Sequence, residues 1–234
     1  IDTQMTEDLH YNQIPIDFEF YTKKTLDNFI IGDNHDLYHS LLDLQESDSI
    51  ILIYGGQSSG KTHLCEAVTH LMERRNTIKI KHDDDLESIL LLDFYDLVVI
   101  DDIDKLLSNT ANEELIFTII NNQILNKKST LITSTKELDI SDFHFNDLHS
   151  RIFSDKIYSI SDLNDEDKIN LMISRCSEKG LEVSEKVLNY IMNNCSRDLY
   201  FLCAFINSLD YASLSTKKRV TIPFIKQAIK DSSS

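Results

Sequence analysis

The sequence predicts an α/β fold, a parallel sheet flanked by helices on both faces, followed by a small all-helical domain. Short apolar runs at Ile50 to Tyr54, Ile78 to Ile80, Leu97 to Ile100 and Thr130 to Thr133 have the length and composition of buried strands. Between them, Lys61 to Arg74 and Glu113 to Leu125 carry apolar residues at helical spacing, and such alternation implies parallel strands joined by crossover helices. After about Ile160 the strand signals stop. Asp165 to Lys179, Ser184 to Asn194, Asp198 to Leu214 and Ile222 to Ile229 all read as helices.

Taken in order, residues 1–24 form a polar tail with one apolar cluster around Ile14, Ile16, Phe18 and Phe20, residues 25–160 form the α/β domain, and residues 161–234 form the helical domain. Pro15 and Pro223 lie near opposite ends, so no proline breaks regular structure between them. Ser184 through Lys186 marks a helix start, Gly180 a helix stop, and Pro223 suits a first helical turn.

Composition narrows the function. The 234 residues hold 23 Lys and Arg against 39 Asp and Glu, a net charge of −16. A surface of that sign repels duplex phosphates, so strong direct contact with nucleic acid is not expected, and any dependence on DNA would arrive through a protein partner. No run approaches the ~20 apolar residues of a membrane span, and no basic-then-apolar secretory signal opens the chain. Cys65, Cys176, Cys195 and Cys203 are widely spaced within apolar segments. They read as reduced core thiols of a cytoplasmic protein. The histidines, including the helically spaced His35 and His39, bring no partners at metal-ligand spacing.

The chemistry concentrates in one loop. Gly55, Gly56, Gln57, Ser58, Ser59, Gly60, Lys61 and Thr62 fit G-x-x-x-x-G-K-[ST], preceded by an apolar strand and opening a helix. Glycines let backbone N–H groups turn toward phosphate oxygens, and the helix N-terminus adds a favourable dipole. Lys61 would reach the β and γ phosphates and the Thr62 hydroxyl would hold Mg²⁺. The alternative is a plain glycine turn; the specified positions with both flanks correct favour the nucleotide. A second element agrees with it. Leu97 to Ile100 is an apolar strand ending in Asp101 and Asp102. In phosphate-loop proteins such a strand presents an acid to the Mg²⁺ shell, here Asp101, with the next acid, Asp102, placed to orient water. Asp104 reads as a solvated charge.

With these motifs in hand, the chain resembles the AAA+ branch that contains the bacterial replication initiator DnaA, and within it the short Hda-type regulators, from about Gln13 to Lys230. Leu26 to Asn34 is similar to the family's opening segment, which contributes to the adenine pocket. Leu131 to Thr135 is similar to its sensor-I strand, and Asp147 to Arg151 to the box that ends in an arginine finger. Ser161 to Lys168 and Thr221 to Lys226 are particularly Hda-like. The resemblance implies an AAA+ fold with a helical lid, and ADP or ATP as cofactor. It implies a nucleotide-binding set of Gly55 through His63 with Phe29, Ile31 and Arg197. The sequence ends at Ser234, so the initiator's DNA-binding domain is not expected. His82 to Asp85, near the initiator's single-strand-binding insertion, is short and acidic, which speaks against gripping a DNA strand.

Two departures bear on hydrolysis. The sensor-I position that usually carries an acid is Thr135, and the lid arginine of sensor II falls at Tyr200. Arg197 lies one turn earlier on a neighbouring face and is either its substitute or a surface charge. Tight binding with slow hydrolysis and ADP as the resting ligand is expected.

The resemblance also suggests partners. Gln13-Ile14-Pro15-Ile16-Asp17-Phe18 resembles the peptide by which replication proteins dock on the sliding clamp, with Gln13 at the pocket rim and Ile16 and Phe18 in an apolar groove. The alternative is a tail strand packed on its own domain. Arg151 falls where AAA+ proteins project a cation toward a neighbour's nucleotide; if the neighbour is DnaA, Arg151 completes its active site. The expected function is therefore a regulator of replication initiation that binds ADP and the clamp and stimulates hydrolysis of DnaA-bound ATP. An autonomous ATPase, a helicase loader or DnaC-like remodeller, is the rival, kept open by Lys61, Thr62, Asp101 and Asp102. A homo-oligomer is compatible with either.

Overall fold

A computed structural model describes residues 24–90, 95–216 and 219–232. The proposed clamp-binding residues Gln13, Ile16 and Phe18 lie outside the described residues. Five strands, β1 (Ile50–Tyr54), β2 (Thr77–Ile80), β3 (Leu97–Ile100), β4 (Ser129–Ser134) and β5 (Lys156–Ser159), form one parallel sheet in the order β2-β3-β4-β1-β5. The helices around it are α1 (His35–Asp43), α2 (Lys61–Leu71), α3 (Leu86–Leu90), α4 (Ile103–Leu106), α5 (Thr110–Leu125) and α6 (Asn146–Ile152). This is the expected architecture. β5 is absent from the sequence reading because its four residues hold only two apolar ones, and it lies at the sheet edge with every second residue exposed.

Alternation within the strands builds a core on each face. On β1, Ile50 and Leu52 pack with Ile100 and Ile132 beneath α5 and α6, through Ile116, Ile120, Leu148 and Ile152. Ile51 and Ile53 point the other way and pack with Val99 and Leu131 against Leu37 and Leu41 of α1 and Leu64 and Val68 of α2. The strand order places the ends of β1 and β3 on either side of the end of β4. The phosphate loop after β1 and the acids after β3 therefore open at the same rim, the usual place for a ligand in a parallel sheet.

The second unit holds α7 (Asp165–Glu178), α8 (Glu185–Asn194), α9 (Leu199–Thr216) and α10 (Ile222–Ser232). Asn164 caps α7 by accepting from Asp167 N, and Asp165, Glu166 and Asp167 in its first turn complement the helix dipole. Gly180 ends it in the left-handed region at φ +67°, with Leu181 N donating back to Cys176 O at 2.8 Å. Met172, Leu188, Ile191, Leu202, Ile206 and Ile225 form its separate core. Among the described residues no helix is long and apolar enough to cross a membrane.

Candidate functional site

The phosphate loop is shaped by Gly60, Gly55 and Lys61. Gly60 takes φ +100°, a left-handed conformation that glycine enters without strain, and from it α2 begins. A Cβ here would stand 3.1 Å from the Phe29 ring, and one on Gly55 would meet Ile160 Cγ2 at 2.2 Å. The Lys61 side chain folds under the loop and is 5% exposed. Its Nζ donates to the carbonyls of Gly55 (2.8 Å) and Gly56 (2.7 Å). Burial pulls this ammonium below the usual lysine range against the opposing influence of Asp102, Asp104 and Asp101, which face it. Gln57 and Thr62 are exposed, and Ser58 adopts φ +65°. A glycine cradle at the N-terminus of an eleven-residue helix with a lysine in its floor fits a phosphate group.

Thr133, fully buried at the end of β4, organises the acids. Its hydroxyl donates to Asp101 Oδ1 (2.9 Å) and accepts from Asp102 N (2.9 Å). Cys65 offers its thiol to the same Asp101 oxygen at 3.7 Å, and Lys79 Nζ stands 2.9 Å from Oδ2. Burial alone would raise the Asp101 carboxyl, but the bond to Lys79 and its charge, with Thr133 and Cys65, hold it below the ordinary carboxylate range. The Cys65 thiol is pushed far up by burial, and next by the Asp101 charge, which leaves it inert. Asp102 sits at φ +55° and pairs with Lys105 at 2.7 Å.

Two expectations need correction. Asp104 is no solvated charge: its carboxylate accepts Thr135 N at 2.8 Å and the Thr135 hydroxyl as well. An acid of α4 thus stands beside Thr135. The expected Mg²⁺ corner, Thr62 with Asp101, does not fit a metal ion as the residues stand. The Thr62 hydroxyl is open, but Asp101 is neutralised by Lys79 and its oxygens are engaged by three donors. A divalent ion there would find the charge of Asp101 already shared with an ammonium.

The opening segment lies against the loop. The rings of Phe29 and His63 are 5.5 Å apart, and His63 Nε2–H donates to Thr25 O at 2.9 Å. Burial lowers the His63 imidazole from its ordinary value. The Ile31 carbonyl accepts from Asn34, whose buried side chain also accepts Ser161 N at 2.7 Å. Asn34 carried no signal in the sequence because its partner is 127 residues away. The Phe29 ring thus lies beside Gly60 and His63, whereas Ile31 is held through its carbonyl by Asn34.

The two arginines behave differently. Arg151 is exposed in the last turn of α6, and among the described residues no carboxylate lies within ion-pair distance of it. Arg197 is paired within the helical unit. Its Nη1 binds Asp165 at 2.6 Å and its Nε donates to Met192 O at 3.3 Å, so the guanidinium ties α8 to the start of α7.

Comparison with known proteins is consistent with this picture. Residues 165–229 match the family described as Hda, lid domain. An uncharacterized Haemophilus influenzae protein is 30% identical over 227 residues, covering 93% of this chain and 98% of that protein. Among solved structures, domain III of the Thermotoga maritima replication initiation protein DnaA superposes with a TM-score of 0.77 at 22% identity, over 89% of this chain and 96% of that one. AMPPCP-bound DnaA from Aquifex aeolicus gives 0.72 at 21% identity, over 91% and 72%. Residues 165–229 thus belong to the Hda lid family, the Haemophilus protein is a relative along nearly the whole length, and the solved structures give the chain the fold of the DnaA AAA+ domain.

Proposed function

We propose that this protein regulates replication initiation by binding adenine nucleotide, with ADP as its resting ligand, and the sliding clamp, and by stimulating hydrolysis of DnaA-bound ATP. The observation that carries the reading is Arg151: a cation in the last turn of α6, exposed and without an acidic partner among the described residues. A guanidinium so placed is available to a neighbouring subunit, where it would neutralise charge developing on a transferred phosphoryl group, an effect of roughly 10³ to 10⁵ in rate. The cradle of Gly55 to Thr62 with Lys61 supports nucleotide binding, and Phe29 and Ile31 supply its apolar wall. Tethering through Gln13, Ile16 and Phe18 would raise the local concentration of the chain beside clamp-bound DnaA.

Pairing of the buried Asp101 with Lys79 speaks against an autonomous ATPase, because the acid that would serve a metal is engaged by a lysine. The test is a DnaA–ATP hydrolysis assay with and without clamp loaded on DNA. Stimulation is expected only when chain and loaded clamp are both present, and Arg151→Ala should abolish it while retaining ADP binding. Brisk ATP turnover by the isolated chain with no effect on DnaA would refute the reading.

A further inference from the structure

β2 alternates across the sheet: Ile78 and Ile80 belong to the core under α5, which sends Lys79 to the opposite face, beside α2. Parallel register sets Lys79 against Val99, and two residues later β3 delivers Asp101 to its ammonium. The pair is 2.9 Å apart, with side chains only 16% and 10% exposed. Neither partner is a flexible surface group, since one is fixed by strand pairing and the other by Thr133 from β4. Thus the acid at the phosphate rim already has a cation, covalently part of the chain and set by sheet register.

We infer that Lys79 is the resident counter-ion of Asp101, supplying from β2 the charge balance that a divalent metal would otherwise supply, and that the chain therefore binds adenine nucleotide without requiring Mg²⁺. This rests on the nucleotide reading above and adds how the charge is balanced. Lys61 in the floor of the loop meets the phosphates, while Lys79 cancels the carboxylate that would otherwise recruit a metal or repel the nucleotide. Removing Lys79 would free Asp101 to do both.

The test is titration of a fluorescent ADP analogue into the full chain, in excess Mg²⁺ and in EDTA. Wild type should show dissociation constants within about threefold of each other in the two buffers. Lys79→Met should bind at least about tenfold more weakly in EDTA than in Mg²⁺, and Lys79→Arg should behave as wild type. Wild-type binding that tightens about tenfold with Mg²⁺ would overturn the inference and leave the nucleotide reading intact. Metal-independent binding by Lys79→Met would also overturn it. Absence of binding in both buffers would remove the nucleotide reading and the inference together. The wild-type comparison needs no substitution, so it stands even if stranding the Asp101 carboxylate unfolds Lys79→Met.

Discussion

The Glu113 carboxylate, wholly buried on α5, accepts the backbone N–H groups of His144 (3.1 Å) and Phe145 (2.8 Å), and so fastens the turn from which α6 and Arg151 start. His144 Nδ1–H donates to the same carboxylate at 2.8 Å. Glu113→Ala would leave two backbone donors without acceptors and should cost about 2–4 kcal/mol, read from the urea midpoint at unchanged slope. Glu113→Gln, which keeps an acceptor, should cost less. An unchanged midpoint for the alanine variant would mean that the turn is held by something else.

Gly55 tolerates no side chain because a methyl there would stand 2.2 Å from Ile160 Cγ2. Gly55→Ala should therefore destabilise by about 1–3 kcal/mol and weaken nucleotide binding. Ile160→Ala makes room, so the double variant should be less destabilised than the sum of the singles. A denaturant double-mutant cycle measures this coupling, and simple additivity would show that the clash is relieved by backbone movement.

His63 predicts a dependence on pH. Its folded pKa lies below the ordinary value, chiefly through burial, with Arg175 and Lys24 also lowering it while the bond to Thr25 and the charge of Glu66 act in the opposite sense. The unfolded chain then takes up the proton first as pH falls. The stability is present above about 6.5 and is lost as pH drops through that value toward the lower folded one. Melting temperature should fall more steeply in wild type than in His63→Gln between about pH 7.5 and 5.5. Parallel curves would show that His63 contributes nothing to the slope.

For the tail, the expectation is a change confined to one partner. Gln13, Ile16 and Phe18 replaced together by Ala should abolish pull-down by the sliding clamp and leave ADP affinity within about twofold of wild type. Retained pull-down would place the clamp contact elsewhere.

How much of this was legible in the sequence depended on distance along the chain. The phosphate loop is a motif of consecutive residues, and its strand before and helix after are equally local, so Gly55 to Thr62 could be read at once. The relation of Lys79 to Asp101 could not, because it exists only once β2 and β3 are paired in register. The same holds for Glu113, which sits in the first turn of α5 among polar neighbours and finds its partners 31 and 32 residues on. The partner of Arg197 was hidden for a related reason: helical spacing relates it to the lid arginine's position, whereas Asp165, which its guanidinium binds, lies 32 residues earlier at the start of α7. Asp104 shows the converse, a charge with no local signal that is engaged across the rim by Thr135.

Asn34 joins residues that bracket nearly the whole α/β unit, since its side chain bonds Ile31 at the entry and Ser161 at the exit. Entry and exit of that unit are therefore stitched side by side, which makes it a cassette: a circular permutant with new ends opened in an exposed loop and the old ones bridged near this stitch should retain the sheet.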